Sequence, residues 1–339
     1  MRRTRTRHSR RPPPTPRPGS RAMPTPVRSP KTFPLCHHDG ALVPWETATL
    51  HAASLALRYA VSVFEGIRIY RTADGRGLKV LELHPHLDRL AASAGMMWLP
   101  DPGIDRIPDI IAELVAQNGV TDDAYIRPSI SAGNPGELGQ AAQPLLTVTI
   151  TAQGRKTWLA DDKRMKVKLS AWQRAHDLAF PSAAKNISNY AGARIAMLEA
   201  KSQGFDNVVL ANADGYLSEA PTAILFLVKN GRLMTPALSE GVLPSITRAL
   251  TLDIAAELGI PAVETRLTRA DAWTADEAFL CGTGLEYALI GQIDGHVLKR
   301  ADAAPVSQQI IARYFERARD IRAAAGDLIL PLPDAAAVA

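Results

Sequence analysis

The sequence is poor in cysteine and has no long apolar run. Its 339 residues include only two cysteines, Cys36 and Cys281. Two thiols so far apart cannot form the disulfide framework of a small secreted protein, so we expect reduced cysteines and a cytoplasmic location. No stretch of ~18 apolar residues, the length that a bilayer-spanning helix needs, occurs in the chain. We therefore expect no membrane partner.

Acidic residues are absent from the first 22 positions, which instead hold eight arginines. These are Arg2, Arg3, Arg5, Arg7, Arg10, Arg11, Arg17 and Arg21. The whole chain has a formal net charge of +5, so removing these eight positive charges leaves −3 for the remainder. The remainder is therefore slightly acidic, its net charge gives no argument for nucleic-acid binding, and we expect no nucleic-acid partner.

The same segment contains five prolines, at positions 12, 13, 14, 16 and 18. This composition cannot bury apolar area, so we expect a disordered, basic and proline-rich extension over residues 1–34. The prolines would break the amphipathic helix of an organellar transit peptide, and no apolar segment of a secretory signal follows. Alternatively, Met23 is the true initiator and residues 1–22 are not translated.

The apolar pattern divides the rest of the chain into two regions. Residues 35–152 alternate strands with helices at about His84 to Met97 and after Pro108. The polar stretch 153–163 is the best candidate for an interdomain linker. Residues 164–325 combine helices with hairpins, and we expect a loose tail over residues 326–339. The chain is therefore predicted to have a mixed α/β (α+β) fold in two domains.

Local signals place several elements in the second region. Asn230-Gly231 and Asp294-Gly295 predict tight hairpins, because both turn residues tolerate a positive φ. Helices are predicted from Ser188 to Gln203, after Ser245 up to Gly259, and from about Val306 to Arg322.

Sequence signatures of nucleotide and zinc binding are missing. Neither a P-loop nor a Cys/His cluster with zinc spacing occurs. His84 and His86 flank a proline at a helix start, while His37 and His38 sit in a predicted loop. None has a carboxylate at ligand spacing, so we interpret them as caps or surface residues and predict no metal site.

One lysine stands out by its surroundings. Lys185 lies among small residues between an apolar stretch and a helix, where a long cationic side chain has room to point inward. Burial lowers the pKa of a lysine and makes its amine nucleophilic. A solvated surface lysine is the simpler interpretation, and the local sequence alone does not exclude it.

Two further segments add chemistry. Glu219 follows a predicted hairpin strand, where a carboxylate could simply be a satisfied rim residue or could keep a pyridinium nitrogen protonated. Leu243 to Arg248 opens a helix with Ser245 and Thr247 at its start. This start is either an ordinary cap or an anion site, where free N–H groups and hydroxyls hold a phosphate. A lysine, a carboxylate and a phosphate cradle are the parts that a pyridoxal-phosphate site requires.

With these residues in view, the chain resembles the class IV pyridoxal-phosphate enzymes, most closely the branched-chain amino acid aminotransferases. The resemblance extends from about Asp39 to Lys299. Its segments follow the family's order, at 59–68, 86–90, 124–128, 184–185, 189–190, 215–219, 243–248 and 281–283. Each segment alone is a weak signal, but together in register they are strong.

The resemblance implies a role for each matching residue. Lys185 would carry pyridoxal 5'-phosphate as a Schiff base and shuttle the substrate proton. Tyr190 would hydrogen-bond the phenolic oxygen of the cofactor, and Glu219 its pyridine nitrogen. The other cofactor-binding residues would be Arg89, Leu243, Ile246, Thr247 and Thr283. The substrate would contact Tyr59, Phe64, Tyr125, Arg127, Gly284 and Leu285, with N–H groups of the 283–285 turn at its α-carboxylate.

The family's fold and reaction are implied in the same way. The fold would be the D-amino acid aminotransferase-like fold (PLP fold type IV), with the active site between two domains. A homodimer would complete each pocket with a partner loop. The reaction would be a ping-pong exchange between a branched-chain amino acid and a 2-oxo acid such as 2-oxoglutarate.

The chain departs from the family mainly near the substrate. Ile224 stands where an asparagine is usual, Gln153 where an aromatic is usual, and Leu285 where a small residue is usual. Ser245 replaces a glycine of the phosphate loop, which is tolerable if its φ is negative.

These departures keep alternatives open. One is a sister activity on this fold: D-amino acid aminotransferase, (R)-selective amine transaminase or aminodeoxychorismate lyase. The segments 64–68 and 125–128 favour the branched-chain type. The other is a non-catalytic relative, which the retention of Lys185, Tyr190 and Glu219 disfavours.

Overall fold

The computed structural model describes residues 31–333. The arginine-rich segment, Met23 and most of the predicted extension lie outside this range. Backbone hydrogen bonds already tie residues 31–33 to the first sheet, since Thr32 pairs with Thr151 and the Phe33 N–H donates to the Ile150 carbonyl at 3.4 Å. The extension boundary predicted at residue 34 is therefore wrong.

The described residues contain the following helices and strands, numbered in chain order. The helices are α1 (Leu55–Tyr59), α2 (Leu83–Met96), α3 (Ile107–Gln117), α4 (Thr157–Ala160), α5 (Asn189–Ser202), α6 (Ile246–Glu257), α7 (Arg269–Trp273) and α8 (Pro305–Arg319). The strands are β1 (Leu35–His38), β2 (Ala41–Pro44), β3 (Ser62–Phe64), β4 (Ile67–Arg71), β5 (Gly77–Val80), β6 (Ala124–Ala132), β7 (Pro144–Ala152), β8 (Met165–Gln173), β9 (Asn207–Ala211), β10 (Glu219–Ala220), β11 (Ala223–Lys229), β12 (Arg232–Pro236), β13 (Ala262–Thr265), β14 (Glu277–Gly282), β15 (Glu286–Ile293), β16 (His296–Val297) and β17 (Leu328–Pro331).

The first sheet is antiparallel and carries two helices on one side. Within residues 31–333 its strand order is β17-β5-β4-β6-β7-β1-β2, with β3 paired to β6. Helix α3 buries Ile107, Ile110, Ile111 and Leu114, whose spacing of three and four residues makes one apolar stripe. This stripe and that of α2 pack against the strands in a single apolar core.

The second sheet is buried on both faces. Its order among the described residues is β13-β12-β11-β14-β15-β8-β9, with β10 paired to β11 and β16 to β15. Along β11, Ile224 and Phe226 enter one apolar cluster and Leu225 and Leu227 the other. Successive side chains of a strand point to opposite faces of the sheet. Because both faces are buried here, every residue from Ile224 to Val228 is apolar. One antiparallel and one mixed sheet, with helices packed against them, confirm the predicted mixed α+β fold.

The two sheets meet through one of these clusters. Tyr70 of β4 and Leu81, which follows β5, pack with Tyr314 of α8 and Tyr287 of β15. The chain also returns from the second sheet to the first, because β17 pairs antiparallel with β5. The loose tail predicted from residue 326 is therefore wrong up to Pro331, and residues 334–339 lie outside the described range.

Most local predictions agree with the structure. Asn230 and Gly231 have φ values of 51° and 75°, and Asp294 and Gly295 of 50° and 88°. Both pairs form the tight hairpins that their sequences predict, joining β11 to β12 and β15 to β16. The polar stretch 153–163 contains the one-turn helix α4. Among the described residues, no helix is long and apolar enough to cross a membrane.

Two histidine interpretations are corrected by burial. His37 lies in strand β1 instead of a loop and is 3% exposed. His86 is 2% exposed and bonds the Glu65 carboxylate through Nδ1 at 2.7 Å, so it is not a surface residue. The partner is 21 residues away in sequence, which is why ligand-spacing rules did not find it.

Candidate active site

A cavity of about 880 Å³ opens between the two sheets. It brings together most of the residues singled out in the sequence, namely Phe64, Arg89, Tyr125, Arg127, Lys185, Tyr190, Glu219, Leu243, Thr283, Gly284 and Leu285. Ile246 and Thr247 border a smaller adjoining space together with Thr283. Tyr59 does not line the cavity of this chain and packs partly buried against the first core.

Lys185 is held by elements of both halves of the chain. Its carbonyl accepts from the Phe64 N–H of β3 at 3.0 Å, and its own N–H donates to the Ser93 hydroxyl of α2 at 3.0 Å. The side-chain amine donates to the Tyr190 hydroxyl at 3.0 Å and lies 4.8 Å from the Phe64 ring centroid. The amine is therefore fixed inside the cavity with a phenol beside it.

Glu219 is a buried carboxylate with two partners. Its Oε1 lies 2.9 Å from Nη2 of Arg174, and its Oε2 accepts from the Leu243 N–H at 3.0 Å. Burial raises the pKa of Glu219, while the positive charges of Arg174 and Lys185 and the Leu243 N–H oppose that rise. The pair with Arg174 therefore favours the anion in a place where burial disfavours it.

Arg89 is oriented by a second buried carboxylate. Its Nε and Nη2 donate to the two oxygens of Glu65 at 2.6 and 2.8 Å, and its Nη1 donates to the Pro244 carbonyl at 2.7 Å. Burial raises the pKa of Glu65, but Arg89 and His86 outweigh it and hold that pKa well below its ordinary value. A two-point bond to an ionised carboxylate fixes the guanidinium plane.

The start of α6 leaves donors free beside Arg89. Ser245 caps the helix, its hydroxyl accepting from the Arg248 N–H at 3.2 Å. Its φ is −77°, so the serine fits where the family has glycine. The Ile246 and Thr247 N–H groups have no acceptor among residues 31–333, as is usual in a first helical turn. The Thr247 hydroxyl lies 3.5 Å from that of Thr283.

Aromatic and cationic side chains line the other side of the cavity. The Arg127 guanidinium lies 3.9 Å from the Phe64 ring centroid, and Tyr125 stands against Gly66. A Cβ at position 66 would lie 1.9 Å from the Tyr125 hydroxyl oxygen. Glycine at 66 is therefore required for Tyr125 to occupy its place.

A buried ion pair lies directly behind the turn 283–285. Glu286 accepts from Nη2 of Arg68 at 2.7 Å and from the Tyr70 hydroxyl at 2.9 Å, and all three side chains are buried. Its second oxygen accepts from the Lys156 N–H at 3.0 Å, and Arg68 also donates to the Gly154 carbonyl at 3.2 Å. The pair therefore fastens the segment 154–156 to the turn.

Sequence reasoning missed several residues of this site. Glu65 and Arg68 lie in the segment 59–68 that resembles the family, but no role was assigned to them from the sequence. Arg174 and Glu286 were not singled out, because they meet partners far away in the chain. Glu286 does have a φ of 60° without being a glycine, a conformation that is sparsely populated and is typical of constrained sites. Within the described residues, no group of three or more His, Cys, Asp or Glu side chains could hold a metal ion.

Comparisons with known proteins agree on one family. Residues 62–293 match the family model described as amino-transferase class IV. A branched-chain-amino-acid aminotransferase of Pseudomonas aeruginosa is 33% identical over 283 residues, covering 82% of this chain and 91% of the relative. One from Escherichia coli is 34% identical over 282 residues, covering 82% and 90%.

Solved structures give the same picture. A branched-chain aminotransferase of Thermoproteus uzoniensis, crystallised with norvaline, superposes with a TM-score of 0.80 at 33% identity, covering 85% of this chain and 95% of that one. A branched-chain amino acid aminotransferase of Thermobaculum terrenum in its PLP holo form superposes with a TM-score of 0.81 at 29% identity, covering 88% and 99%.

Proposed function

The chain belongs to the class IV aminotransferases, and we propose that it exchanges the amino group of a branched-chain L-amino acid with 2-oxoglutarate. Pyridoxal 5'-phosphate is the proposed cofactor and ping-pong the proposed order of events. The observation that carries this proposal is the convergence of Lys185, Tyr190, Glu219 and Arg89 on one cavity. The proposed substrate rests on the relatives, which are branched-chain-amino-acid aminotransferases.

The residues fit the cofactor by their chemistry. Each group has a counterpart on the cofactor. The Lys185 amine suits the aldehyde, the Tyr190 phenol suits the phenolic oxygen, and the buried Glu219 carboxylate suits the pyridine nitrogen. Arg89, Thr283 and the free N–H groups at the start of α6 offer cation and donors for a phosphate. Leu243 and the Thr247 hydroxyl would complete this cofactor end of the cavity.

The chain's own groups would then act as follows. Pyridoxal phosphate, when bound, supplies an electron sink for the substrate Cα. Lys185 would anchor it covalently and, once released by the donor's amine, would take the proton from Cα through Nζ. Tyr190 keeps that amine in place through its 3.0 Å hydrogen bond. Glu219, whose anion the Arg174 cation stabilises, would keep the pyridine nitrogen protonated.

The other wall forms the substrate end, made of Phe64, Tyr125, Arg127 and residues 283–285. Phe64, Tyr125 and Leu285 would contact an apolar donor side chain. The N–H groups of Gly284 and Leu285 would bind the α-carboxylate, and Arg127 the second carboxylate of the acceptor. Tyr59 would serve a substrate only in an assembly with a second subunit.

We also propose a homodimer, two domains and a cytoplasmic location. The domain boundaries are those expected from the sequence, 35–152 and 164–325 with the linker 153–163. The separate apolar cores of the two sheets support them, although β17 belongs with the first sheet. Two free, buried cysteines fit a reducing compartment.

A donor panel with 2-oxoglutarate tests the reaction. L-leucine, L-valine and L-isoleucine should serve as donors, whereas D-alanine and (R)-1-phenylethylamine should not. Failure of L-leucine with success of a D-donor would overturn the branched-chain assignment and leave the cofactor chemistry standing. Release of pyruvate from aminodeoxychorismate would instead indicate the lyase.

The visible spectrum tests the cofactor independently. Purified protein given pyridoxal phosphate should show an absorption band above that of the aromatic residues, and borohydride should fix the cofactor to Lys185. Absence of both results would favour a non-catalytic binding protein.

A further inference from the structure

The charges around the cavity are unbalanced. Its lining includes four cationic side chains, Arg89, Arg127, Lys156 and Lys185, and one carboxylate, Glu219. Arg89 is neutralised by Glu65 and Glu219 by Arg174. Lys185 has its proposed covalent role, so Arg127 and Lys156 remain as cations.

Neither of these two cations has an acidic partner. Arg127 contacts the Phe64 ring, and no carboxylate of residues 31–333 lies within ion-pair distance of either side chain. The cavity is open to solvent, Arg127 is exposed and Lys156 is half-buried, so water can solvate both charges until a ligand carboxylate replaces it. Since the proposed site of the α-carboxylate is the turn 283–285, these two cations remain for a second carboxylate of the substrate.

Lys156 is fixed at its backbone and free at its amine. Its N–H donates to Glu286 and the preceding Gly154 carbonyl accepts from Arg68, so the main chain is held at the cavity wall. No acceptor within the described residues binds its Nζ. Burial and the charge of Arg68 lower the pKa of Lys156, while Glu286 opposes them. A flexible four-carbon stem can carry the amine into the cavity or out to water.

On the basis of the proposed function, we propose that Lys156 is a specificity-determining residue that binds the side-chain carboxylate of a dicarboxylic substrate together with Arg127. Ping-pong exchange requires one cavity to accept an apolar donor and an acidic acceptor in turn. Arg127, stacked on Phe64, is the fixed cation. Lys156 is the movable one, which turns toward the carboxylate of an acidic substrate and withdraws from a leucine side chain.

Two unreactive substrate analogues on the holoenzyme test this role by binding alone. Glutarate presents two carboxylates, and 4-methylvalerate presents one carboxylate and a leucine-like side chain. Lys156→Met should raise the Kd of glutarate roughly three- to tenfold, as expected for a solvated ion pair. The Kd of 4-methylvalerate should change less than about twofold, since that ligand never meets the amine.

Two control variants sharpen the result. Lys156→Arg should restore glutarate binding because it keeps the charge. Lys163→Met removes a lysine seven positions away that is exposed and paired with Asp161, and it should change neither Kd. An equal rise for both ligands, or no rise for glutarate, would overturn the role of Lys156.

A further measurement distinguishes an error in the role of Lys156 from an error in the proposed function. On the same preparations, single-turnover reactions with L-leucine and L-glutamate are followed by absorbance. Wild-type protein that does not react with L-leucine would refute the proposed donor, while the glutarate comparison would still decide whether Lys156 recognises a second carboxylate.

Discussion

The cofactor end and the substrate end of the cavity differ in how their charges are satisfied. At the cofactor end, Glu219 is paired with Arg174 and Arg89 with Glu65 before any ligand binds. At the substrate end, Arg127 and Lys156 have no acidic partner within residues 31–333. Groups that must meet one invariant ligand can be fixed in advance, whereas groups that must meet two different substrates in turn cannot.

The sequence departs from the family in the walls of this cavity. The residues that resemble the family's cofactor set are all present, and Ser245, which replaces a glycine beside them, has the φ that makes the change harmless. The departures at Gln153, Ile224 and Leu285 all line the cavity. Leu285 belongs to the substrate end, whereas Ile224 pairs with Glu219 across β10 and β11. Changes at the two ends should nevertheless have different consequences, because their charges are satisfied differently.

The largest effect is expected at Lys185. Lys185→Ala should lower the turnover of L-leucine with 2-oxoglutarate by at least about 10⁴-fold, because both the anchor and the proton-transferring base are lost. Steady-state rates and borohydride trapping would measure it. Lys168→Ala, which removes a half-buried lysine bonded to Gln203 outside the cavity, is the matched control. Residual turnover within about a hundredfold of wild type would contradict a chemical role for Lys185.

The next effect is expected at Arg174. Arg174→Met leaves the Glu219 carboxylate buried without its cation, so its pKa should rise further above the ordinary value. Glu219 would then take up a proton at a higher pH than in the wild-type protein. On acidification, the variant should therefore lose the cofactor at a higher pH than the wild type does. We expect the Kd of pyridoxal phosphate to rise at least about tenfold at neutral pH.

Absorbance titrations across pH would measure both changes. Arg174→Lys should restore much of the affinity, and Arg322→Met, which removes an exposed arginine paired with Asp320, should leave the profile unchanged. An acid limit identical to that of wild type would show that Arg174 does not govern the ionisation of Glu219.

A smaller effect is expected at Arg127. Arg127→Ala should raise the KM for 2-oxoglutarate about tenfold with kcat little changed, because the cation is proposed to contact the acceptor and not the reacting atoms. The KM for L-leucine should hardly move. Loss of turnover with unchanged acceptor affinity would contradict this role. It would mean that Arg127 serves the reaction itself, as the residues of the cofactor end do.

The smallest effect is expected at Ser245, back at the cofactor end. Ser245→Gly should change the free energy of unfolding by only a few tenths of a kcal/mol, whereas Ser245→Ala, which loses the cap, should cost about 1 kcal/mol. Denaturant unfolding of the two variants measures the difference. Cofactor affinity should change less than about twofold in Ser245→Gly. A larger loss would mean that the serine hydroxyl itself binds the cofactor.

The sequence predicted what depends on neighbouring residues. Helix α6 was found through its cap at Ser245, and the hairpins through Asn230-Gly231 and Asp294-Gly295, because caps and tight turns are decided within a few residues. Lys185 and Glu219 were found because several segments resembled one family in the right order.

What the sequence did not predict depends on contacts between distant residues. Arg68 and Glu286 are 218 positions apart, and Arg174 meets Glu219 only after β8 and β10 have taken their places. The strand β17 was expected to be a loose tail because its four residues carry a weak signal alone. It is a strand because the edge of β5 supplies its hydrogen bonds.

This strand has a consequence for the order in which the molecule can be made. A ribosome releases β5 about 250 residues before β17, its neighbour in the first sheet. Until then the backbone of β5 presents an open edge to other nascent chains, which is a site for wrong pairing. Completion of the first sheet, although it is encoded early, must therefore wait until the second sheet has been synthesised.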